Sequence, residues 1–278
     1  ADLREPRRRS SSVSSMMQVR PRVASSFAYS AKVSERGLMS DLRAMAKLPV
    51  FWLVVMALSG LYFVVTGVQF WATDYLITEL HADPAEVELL FIVTSATGPV
   101  FGVFFGGWLV DRCGGYRGRR QAVIALGVDS CLGLLALGCA IPVTYIDNVW
   151  GVCACLWGLL FFGGAVLPSA TGIYIAAVPL SMRALASSVS VVLFNLLGYF
   201  ASPFLCGWLM GELQSYRWGF RVCLWWSFFP CALLVGALCM ALWGDNGKGI
   251  SGLMGGADES QSLLGGGGGG SSSGGAGG

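Results

Sequence analysis

The sequence predicts an all-α fold: a polytopic membrane bundle of six transmembrane helices with disordered termini. Hydrophobic residues make up 55% of the 278-residue chain and charged residues 12%, about half the charged fraction of a soluble domain. A helix needs roughly 20 apolar residues to cross the hydrocarbon core of a membrane, and six apolar runs of about that length follow one another. We place the spans at residues 50–73, 89–110, 121–141, 149–178, 184–210 and 222–243.

The segments before and after these spans have the composition of cytoplasmic, unstructured chain. Residues 1–33 are rich in Arg, Ser and Pro and have no apolar period, which predicts a disordered basic linker. Residues 34–48 predict an amphipathic helix on the inner leaflet, because Leu38 and Leu42 share one face and basic residues the other. Residues 244–278 are rich in Gly and Ser and predict a disordered tail.

The tail contains an acidic dileucine pattern that begins at Glu259 and ends with Leu263 and Leu264. This pattern resembles the sorting signals that adaptor proteins bind on endosomal and lysosomal membrane proteins. The sequence therefore predicts adaptor proteins as partners and an endosomal, lysosomal or vacuolar membrane as the location, with the plasma membrane as the alternative.

The distribution of Lys and Arg predicts the orientation of the chain. Ten of the 18 Lys and Arg residues lie before the first span, and the second connection carries four more. The first connection has acids but no Lys or Arg. The fifth connection, which should lie on the same side as the first, nevertheless carries Arg217 and Arg221. Because cytoplasmic connections carry the excess of basic residues, we expect both termini in the cytoplasm.

Residue types that carry catalysis or bind metals are sparse. The chain has one histidine, His81, and of its nine cysteines only Cys113 lies outside the apolar runs. No Cys-x-x-Cys occurs, so the cysteines are expected to act as small apolar residues. We expect no metal site, no cofactor, no enzymatic activity and no nucleic acid partner; the lipid bilayer is the expected surrounding.

Two spans carry polar side chains along one face. In the first span these residues are Ser59, Tyr62, Thr66, Gln69 and Thr73, spaced three and four apart. Such a row lines a water-filled cavity, the reading we favour, or bonds to neighbouring helices. In the fifth span Asn195 is the polar centre of a similar stripe, and it either binds a substrate or clamps a neighbouring helix.

The second and third spans carry two further signals. Gly98, Gly102 and Gly106 recur at every fourth position, which predicts a close approach of two helix backbones. Asp129 is the only acid placed well inside a span, and such a residue marks a functional site or a paired interior position. It either binds a proton or a cationic group, or is bonded to a neighbouring hydroxyl such as that of Ser130. In the fourth span Pro168 predicts a kink.

The connection between the second and third spans is a Gly-x-x-x-Asp-Arg turn with trailing arginines. Its characteristic residues are Gly107, Asp111, Arg112, Gly114, Arg119 and Arg120. The turn resembles the signature loop of the major facilitator superfamily, in a form enlarged by residues 115–118. The resemblance implies one half of a twelve-helix fold, in which residues 49–243 form the carboxyl-terminal six-span bundle and the substrate lies between the two bundles.

A narrower resemblance concerns the fifth span and the segment before the first. The runs Pro179-Leu-Ser-Met-Arg183, Asn195-Leu-Leu-Gly198-Tyr199, Ser202-Pro203 and Gly207 are similar to the tenth-to-eleventh span region of Spinster-like transporters. Residues 41–51 resemble the stretch that joins their two halves. The resemblance implies an amphiphilic or lipid-like substrate such as a lysophospholipid or a sphingolipid.

The resemblance also implies roles for individual residues. The cavity candidates are Tyr62, Thr66, Gln69, Asp129, Asn195 and Tyr199, and the gate and helix-break candidates are Pro179, Arg183, Gly198, Pro203 and Gly207. The two halves would rock by alternating access. Asp111 would face the positive end of a helix in the amino-terminal half, and the arginines would tie the inner gate. The alternatives are a sugar or organic-anion facilitator and a non-transporting membrane scaffold.

Overall fold

The structure, a computed structural model, describes residue 37, residues 39–115 and residues 118–243, and of Arg119 the backbone alone. The chain divides into two compact units, residues 1–47 and residues 48–278. In the first unit residues 39–45 are helical, within the segment 34–48 expected to form an amphipathic helix; its place on the inner leaflet stays a prediction. The basic linker, the glycine-rich tail and the dileucine pattern lie outside the described residues.

Every regular element in the described part of the second unit is helical. The helices are α1 (Pro49–Leu80), α2 (Pro84–Arg112), α3 (Arg119–Ala140), α4 (Val149–Ala176), α5 (Arg183–Leu193), α6 (Ala201–Leu213), α7 (Tyr216–Trp225) and α8 (Phe228–Trp243). A π-helix at Phe194–Phe200 joins α5 to α6, and 3-10 turns lie at Pro142–Tyr145 and Leu180–Met182.

These elements form six helices long and apolar enough to cross a membrane. The first four spans correspond to α1 to α4, the fifth runs over Leu180–Leu213, and the sixth runs over Tyr216–Trp243. The predicted all-α bundle of six spans is therefore confirmed, and the chain is a multi-pass membrane protein. The fourth span stays one helix through Pro168.

The first, second and sixth spans extend beyond their predicted bounds at one end of the bundle, because the polar residues there remain helical. α1 continues up to His81, where the backbone becomes left-handed with a φ of 53°. α2 begins with Pro84 directly after Asp83, a position that suits proline because its missing N–H is not needed there. α7 begins after Ser215, whose hydroxyl accepts a hydrogen bond from the Trp218 N–H.

Burial is uneven between the spans. Over its most apolar 18 residues α1 is 61% buried and α4 56%, against 22% for α2 and 28% for the fifth span. α1 packs against α4, α8, α7 and the fifth span, and α4 packs against α2 and α3. The two central helices therefore hold the core, whereas α2 and the fifth span each leave a broad apolar surface exposed.

The glycines of α2 allow its backbone to touch that of α4. A Cβ at Gly102 would overlap the carbonyl group of Phe161, and a Cβ at Gly106 would overlap the carbonyl group of Ala165. From the first contact to the second, the residue number rises by four on α2 and by four on α4. The two helices therefore run parallel and in register. The close approach predicted from the glycine spacing is confirmed.

We predict that Gly102→Ala lowers the free energy of unfolding by about 1–3 kcal/mol, the usual cost of overfilling a packed contact. The reason is that the added methyl group must push the two backbones apart. The measurement is reversible unfolding in mixed micelles. Gly107→Ala is the matched control, because a Cβ there meets nothing within 4 Å. Equal stabilities of the two variants would contradict the prediction.

Candidate functional site

The α2–α3 turn is formed by glycines in left-handed conformations. Gly114 and Gly115 have φ angles of 97° and 75°, which residues with a Cβ rarely adopt. The N–H of Gly115 donates to the carbonyl oxygen of Val110 (2.9 Å), and the N–H of Gly114 donates to that of Asp111 (3.1 Å). This is the Schellman pattern that ends helices. Gly114 therefore ends α2 directly after its charged residues.

The charged side chains at this turn project outwards. Asp111, Arg112 and Arg120 are exposed, and the Arg112 guanidinium lies 5.4 Å from the centroid of the Trp108 ring. Because successive helical residues differ by about 100° in direction, Asp111 and Arg112 point to different sides of α2. Within the described residues neither makes an ion pair. The side chain of Arg119 lies outside the described part.

The stripes of the first and fifth spans meet at an aromatic contact. The ring centroid of Tyr62 lies 5.1 Å from that of Phe194 and 5.1 Å from that of Tyr199. Tyr199 keeps 45% of its surface exposed. We call the surface of α1 and the fifth span that carries Tyr62, Gln69, Asn195 and Tyr199 the polar face. The structure brings Tyr62 and Tyr199 together; Gln69 follows Tyr62 by seven residues and Asn195 precedes Tyr199 by four, so each shares the helix face of its ring.

The amides of the polar face are not used to clamp helices together. Gln69 and Asn195 are both exposed, and the Asn195 Nδ2 donates to the carbonyl oxygen of Val191 on its own helix (2.8 Å). Ser59, at the start of the stripe, is buried and donates to Val55 of α1. Thr66 Oγ1 is buried without a hydrogen-bond partner among the described residues. Part of the stripe is therefore core, and part faces outwards.

Two of the gate candidates are contact points with α1. A Cβ at Gly198 would lie 2.7 Å from the Cβ of Tyr62, and one at Gly207 would lie 2.7 Å from the Trp71 ring. The two contacts are nine residues apart on both helices, so α1 and the fifth span run parallel. Between them the Ser202 hydroxyl donates to a carbonyl oxygen of α1.

The fifth span stays helical through Pro203, but its α-helical hydrogen-bond pattern is interrupted shortly before this proline. The π-helix Phe194–Phe200 lies directly before it, and α6 continues past it to Leu213. Proline lacks the N–H that an α-helix needs and crowds the carbonyl group four residues earlier; a π-helix is one way to absorb this, and such segments are frequent at functional sites.

Pro179 and Arg183 lie at the start of the fifth span. Pro179 precedes the 3-10 turn Leu180–Met182, and Arg183 begins α5. The Nε of Arg183 donates to the carbonyl oxygen of Val178 (3.3 Å), so this side chain folds back onto the end of the preceding connection.

Asp129 lies at a different place from the polar face. It is fully buried, and its Oδ1 accepts a hydrogen bond from the Ser169 hydroxyl of α4. Its Oδ2 has no partner among the described residues. Ser130, the expected partner, donates instead to Leu126 on its own helix. The sequence did not point to Ser169, because only the packing of α3 on α4 brings it beside the carboxyl group.

In the described helices that pack on α3 most closely, no basic side chain is available to compensate Asp129. α3 packs mainly against α4 and α8, and the sequences of these two helices contain no Lys, Arg or His. A buried carboxyl group without a hydrogen bond is costly. The Ser169 hydroxyl is therefore the one interaction in the described structure that stabilises this carboxyl group, and it joins α3 to α4.

We predict that Ser169→Ala lowers the free energy of unfolding by about 1–3 kcal/mol, the cost of leaving a buried polar group unpaired. Asp129→Asn should cost less, since the amide oxygen still accepts from Ser169. Ser188→Ala is the control, because that exposed hydroxyl bonds only to Ala184 of its own helix. Unfolding in mixed micelles measures all three, and a Ser169→Ala protein as stable as the Ser188→Ala protein would refute the role of the bond.

Arg217 and Arg221, the basic residues of the fifth connection that do not fit the predicted orientation, lie at the end of the bundle away from the α2–α3 turn. Both are bound by other residues. The Arg221 guanidinium donates to the hydroxyl and carbonyl oxygens of Thr144 and lies 4.5 Å from the centroids of the Tyr145 and Trp218 rings. Arg217 forms ion pairs with Glu79 at the end of α1 (3.4 Å) and with Asp147 of the third connection (3.5 Å). The basic residues of the fifth connection therefore have a structural explanation; the cytoplasmic placement of the termini stays a prediction.

No family model and no curated protein matches this chain. What the chain does is therefore inferred from the polar face, the α2–α3 turn and the exposed helix surfaces.

Proposed function

We propose that this chain is the carboxyl-terminal bundle of a transporter of the major facilitator type, most like the Spinster-like lipid transporters. It would move an amphiphilic or lipid-like organic solute, such as a lysophospholipid or a sphingolipid, by alternating access. The observation that carries the proposal is the exposed polar face at the middle of the bundle.

Asn195 lies too deep in the membrane to face lipid without cost. It is the sixteenth of the 34 residues of the fifth span, about 23 Å along the helix from its start, well inside a hydrocarbon core about 30 Å thick. Its Oδ1 accepts no hydrogen bond from any described residue. Because unsatisfied polar groups in hydrocarbon are costly, this side chain requires water, a substrate or a second bundle beside it.

The chemistry of the polar face suits a solute with both polar and apolar parts. The exposed amides of Gln69 and Asn195 can donate and accept hydrogen bonds. The same face carries the Tyr62–Tyr199 ring pair. A solute of this kind can place its head group at the amides and its chain against the rings. We infer that Thr66 contributes from behind the face.

The second bundle that the proposal needs would cover α2 and the fifth span. These spans are the least buried of the six, and Asp111 projects from α2 on a different side from Arg112. In the proposed mechanism Asp111 meets the positive end of a helix in the amino-terminal six-span half, while Arg112, Arg119 and Arg120 close the inner gate. The fifth span would slide on α1 at Gly198 and Gly207.

The location and further partners belong to the same proposal. The termini would face the cytoplasm, where adaptor proteins could bind the dileucine pattern, and the protein would reside in an endosomal, lysosomal or vacuolar membrane or in the plasma membrane. No catalytic step and no cofactor is part of the proposed function.

The test is uptake by proteoliposomes that contain the chain together with its second bundle. We predict accumulation of a fluorescent lysophosphatidylcholine. In Asn195→Leu the rate of uptake should fall about tenfold or more, which corresponds to the loss of one hydrogen bond between uncharged groups. Val192→Leu is the matched control, because Val192 is exposed on the same span without a polar group. Asp111→Asn should abolish uptake while leaving the unfolding free energy unchanged.

The alternatives give distinct results in the same assay. Uptake of a sugar or an organic anion in place of the lysophospholipid would identify the other class of facilitator. Absence of uptake of every solute, by a protein that is folded and correctly inserted, would make the chain a membrane scaffold. Normal uptake by Asn195→Leu would show that the polar face does not bind the solute.

A further inference from the structure

An apolar groove of about 730 Å³ runs along the outer side of α3. We call it the α3 groove. Its walls come from α2, α3, α4 and α8, and among its lining residues are Phe105, Leu109, Ile124, Gly127, Leu135 and Leu238. A Cβ at Gly127 would meet nothing within 4 Å, so the groove is open above this glycine. It lies apart from the polar face, whose residues do not line it.

One end of the α3 groove carries two arginines. Arg112 follows Phe105 by seven residues on α2, and Arg120 precedes Ile124 by four residues on α3. Residues four and seven apart share a helix face, so both arginines project from the faces that form the groove. Both are exposed, and in the described part of the chain neither is paired with an acid.

The nearest acid at this end does not compensate the two arginines. Asp111 is adjacent to Arg112 in sequence, and one residue turns a helix by about 100°. Asp111 therefore projects from another side of α2. Among the described side chains, the groove end has two positive charges, an apolar floor and the ring of Trp108, over which Arg112 lies. Trp, Arg and apolar side chains in this order are typical of the boundary between head groups and acyl chains.

The length of the α3 groove fits one leaflet of a membrane. Ile124 and Leu135 are eleven residues apart, which is about 17 Å along a helix, and half of a hydrocarbon core is about 15 Å thick. A spanning helix of another protein would need a surface about twice as long. A single acyl chain needs no more than this groove provides.

We propose that the α3 groove binds an anionic phospholipid of the surrounding bilayer, with its phosphate between Arg112 and Arg120 and an acyl chain over Gly127. Binding would be selective for anionic over zwitterionic head groups, because two guanidinium groups without acidic partners face the head group. The proposal concerns lipid bound by this chain without its second bundle; with that bundle in place, Arg112 and Arg120 would belong to the inner gate instead.

The experiment places the purified chain in nanodiscs of phosphatidylcholine that contain a minority of phosphatidylglycerol. Native mass spectrometry then counts the lipids that stay bound when the protein is released. We expect one phosphatidylglycerol per chain, retained in preference to phosphatidylcholine. A basic residue near a membrane surface contributes about fivefold to the binding of anionic lipid, so Arg112→Gln with Arg120→Gln should weaken retention by about 25-fold.

Three further variants separate charge from shape. Arg112→Lys with Arg120→Lys keeps both charges and should retain most of the binding. Gly127→Trp should displace the acyl chain, because its ring fills the open groove, and Gly211→Trp is the control at another glycine with nothing within 4 Å of its Cβ. Thermal unfolding of every variant ensures that only folded proteins are compared.

Three results would overturn the proposal. Phosphatidylcholine retained as well as phosphatidylglycerol would show that the arginines select nothing. Retention unchanged in Gly127→Trp would place the lipid elsewhere. A dimer of the chain that dissociates in Gly127→Trp, with no lipid retained, would assign the groove to a second copy.

Discussion

A hydrogen-bonding group inside a membrane has to find its partner in the protein or in enclosed water, because lipid chains offer none. Two sets of polar residues in the bundle illustrate this constraint. Ser59, Ser190 and Ser202 are buried and donate to backbone carbonyl oxygens, while Asp129 accepts from Ser169. Gln69 and Asn195 belong to the second set, since they are exposed at membrane depth, and among the described residues the Gln69 amide and the Asn195 Oδ1 have no partner.

The arrangement of two central helices surrounded by more exposed ones follows from the same constraint. α1 and α4 are the central helices, and small residues on their neighbours let backbones come close enough to exclude lipid: Gly102 on α2 and Gly198 on the fifth span. The parallel pairs α2–α4 and α1–fifth span are the result. The surfaces of α2 and the fifth span that do not pack on other helices carry exposed apolar side chains. The fifth span also exposes the Asn195 amide, which a bundle surrounded only by lipid would not be expected to expose.

Much of the fold could be predicted from the sequence, because the length of an apolar run and the spacing of glycines act locally. The span boundaries were less predictable, since the start signals Asp83-Pro84 and Ser215 lie among polar residues that resemble a loop. The partner of Asp129 was not predictable: Ser169 is 40 residues away and only helix packing brings it near. Likewise, Pro203 predicted an interruption of the fifth span, but not that it would take the form of the π-helix Phe194–Phe200.

The most direct test of the polar face is its access to water. In the protein with its second bundle, Asn195→Cys and Val192→Cys are exposed to a membrane-impermeant thiol reagent, and peptide mass spectrometry locates the label. A water-lined face predicts labelling of Cys at position 195 at least about tenfold faster than at position 192, because thiolate forms in water and not in lipid. Equally slow labelling at both positions would place this surface against lipid and contradict the proposed cavity.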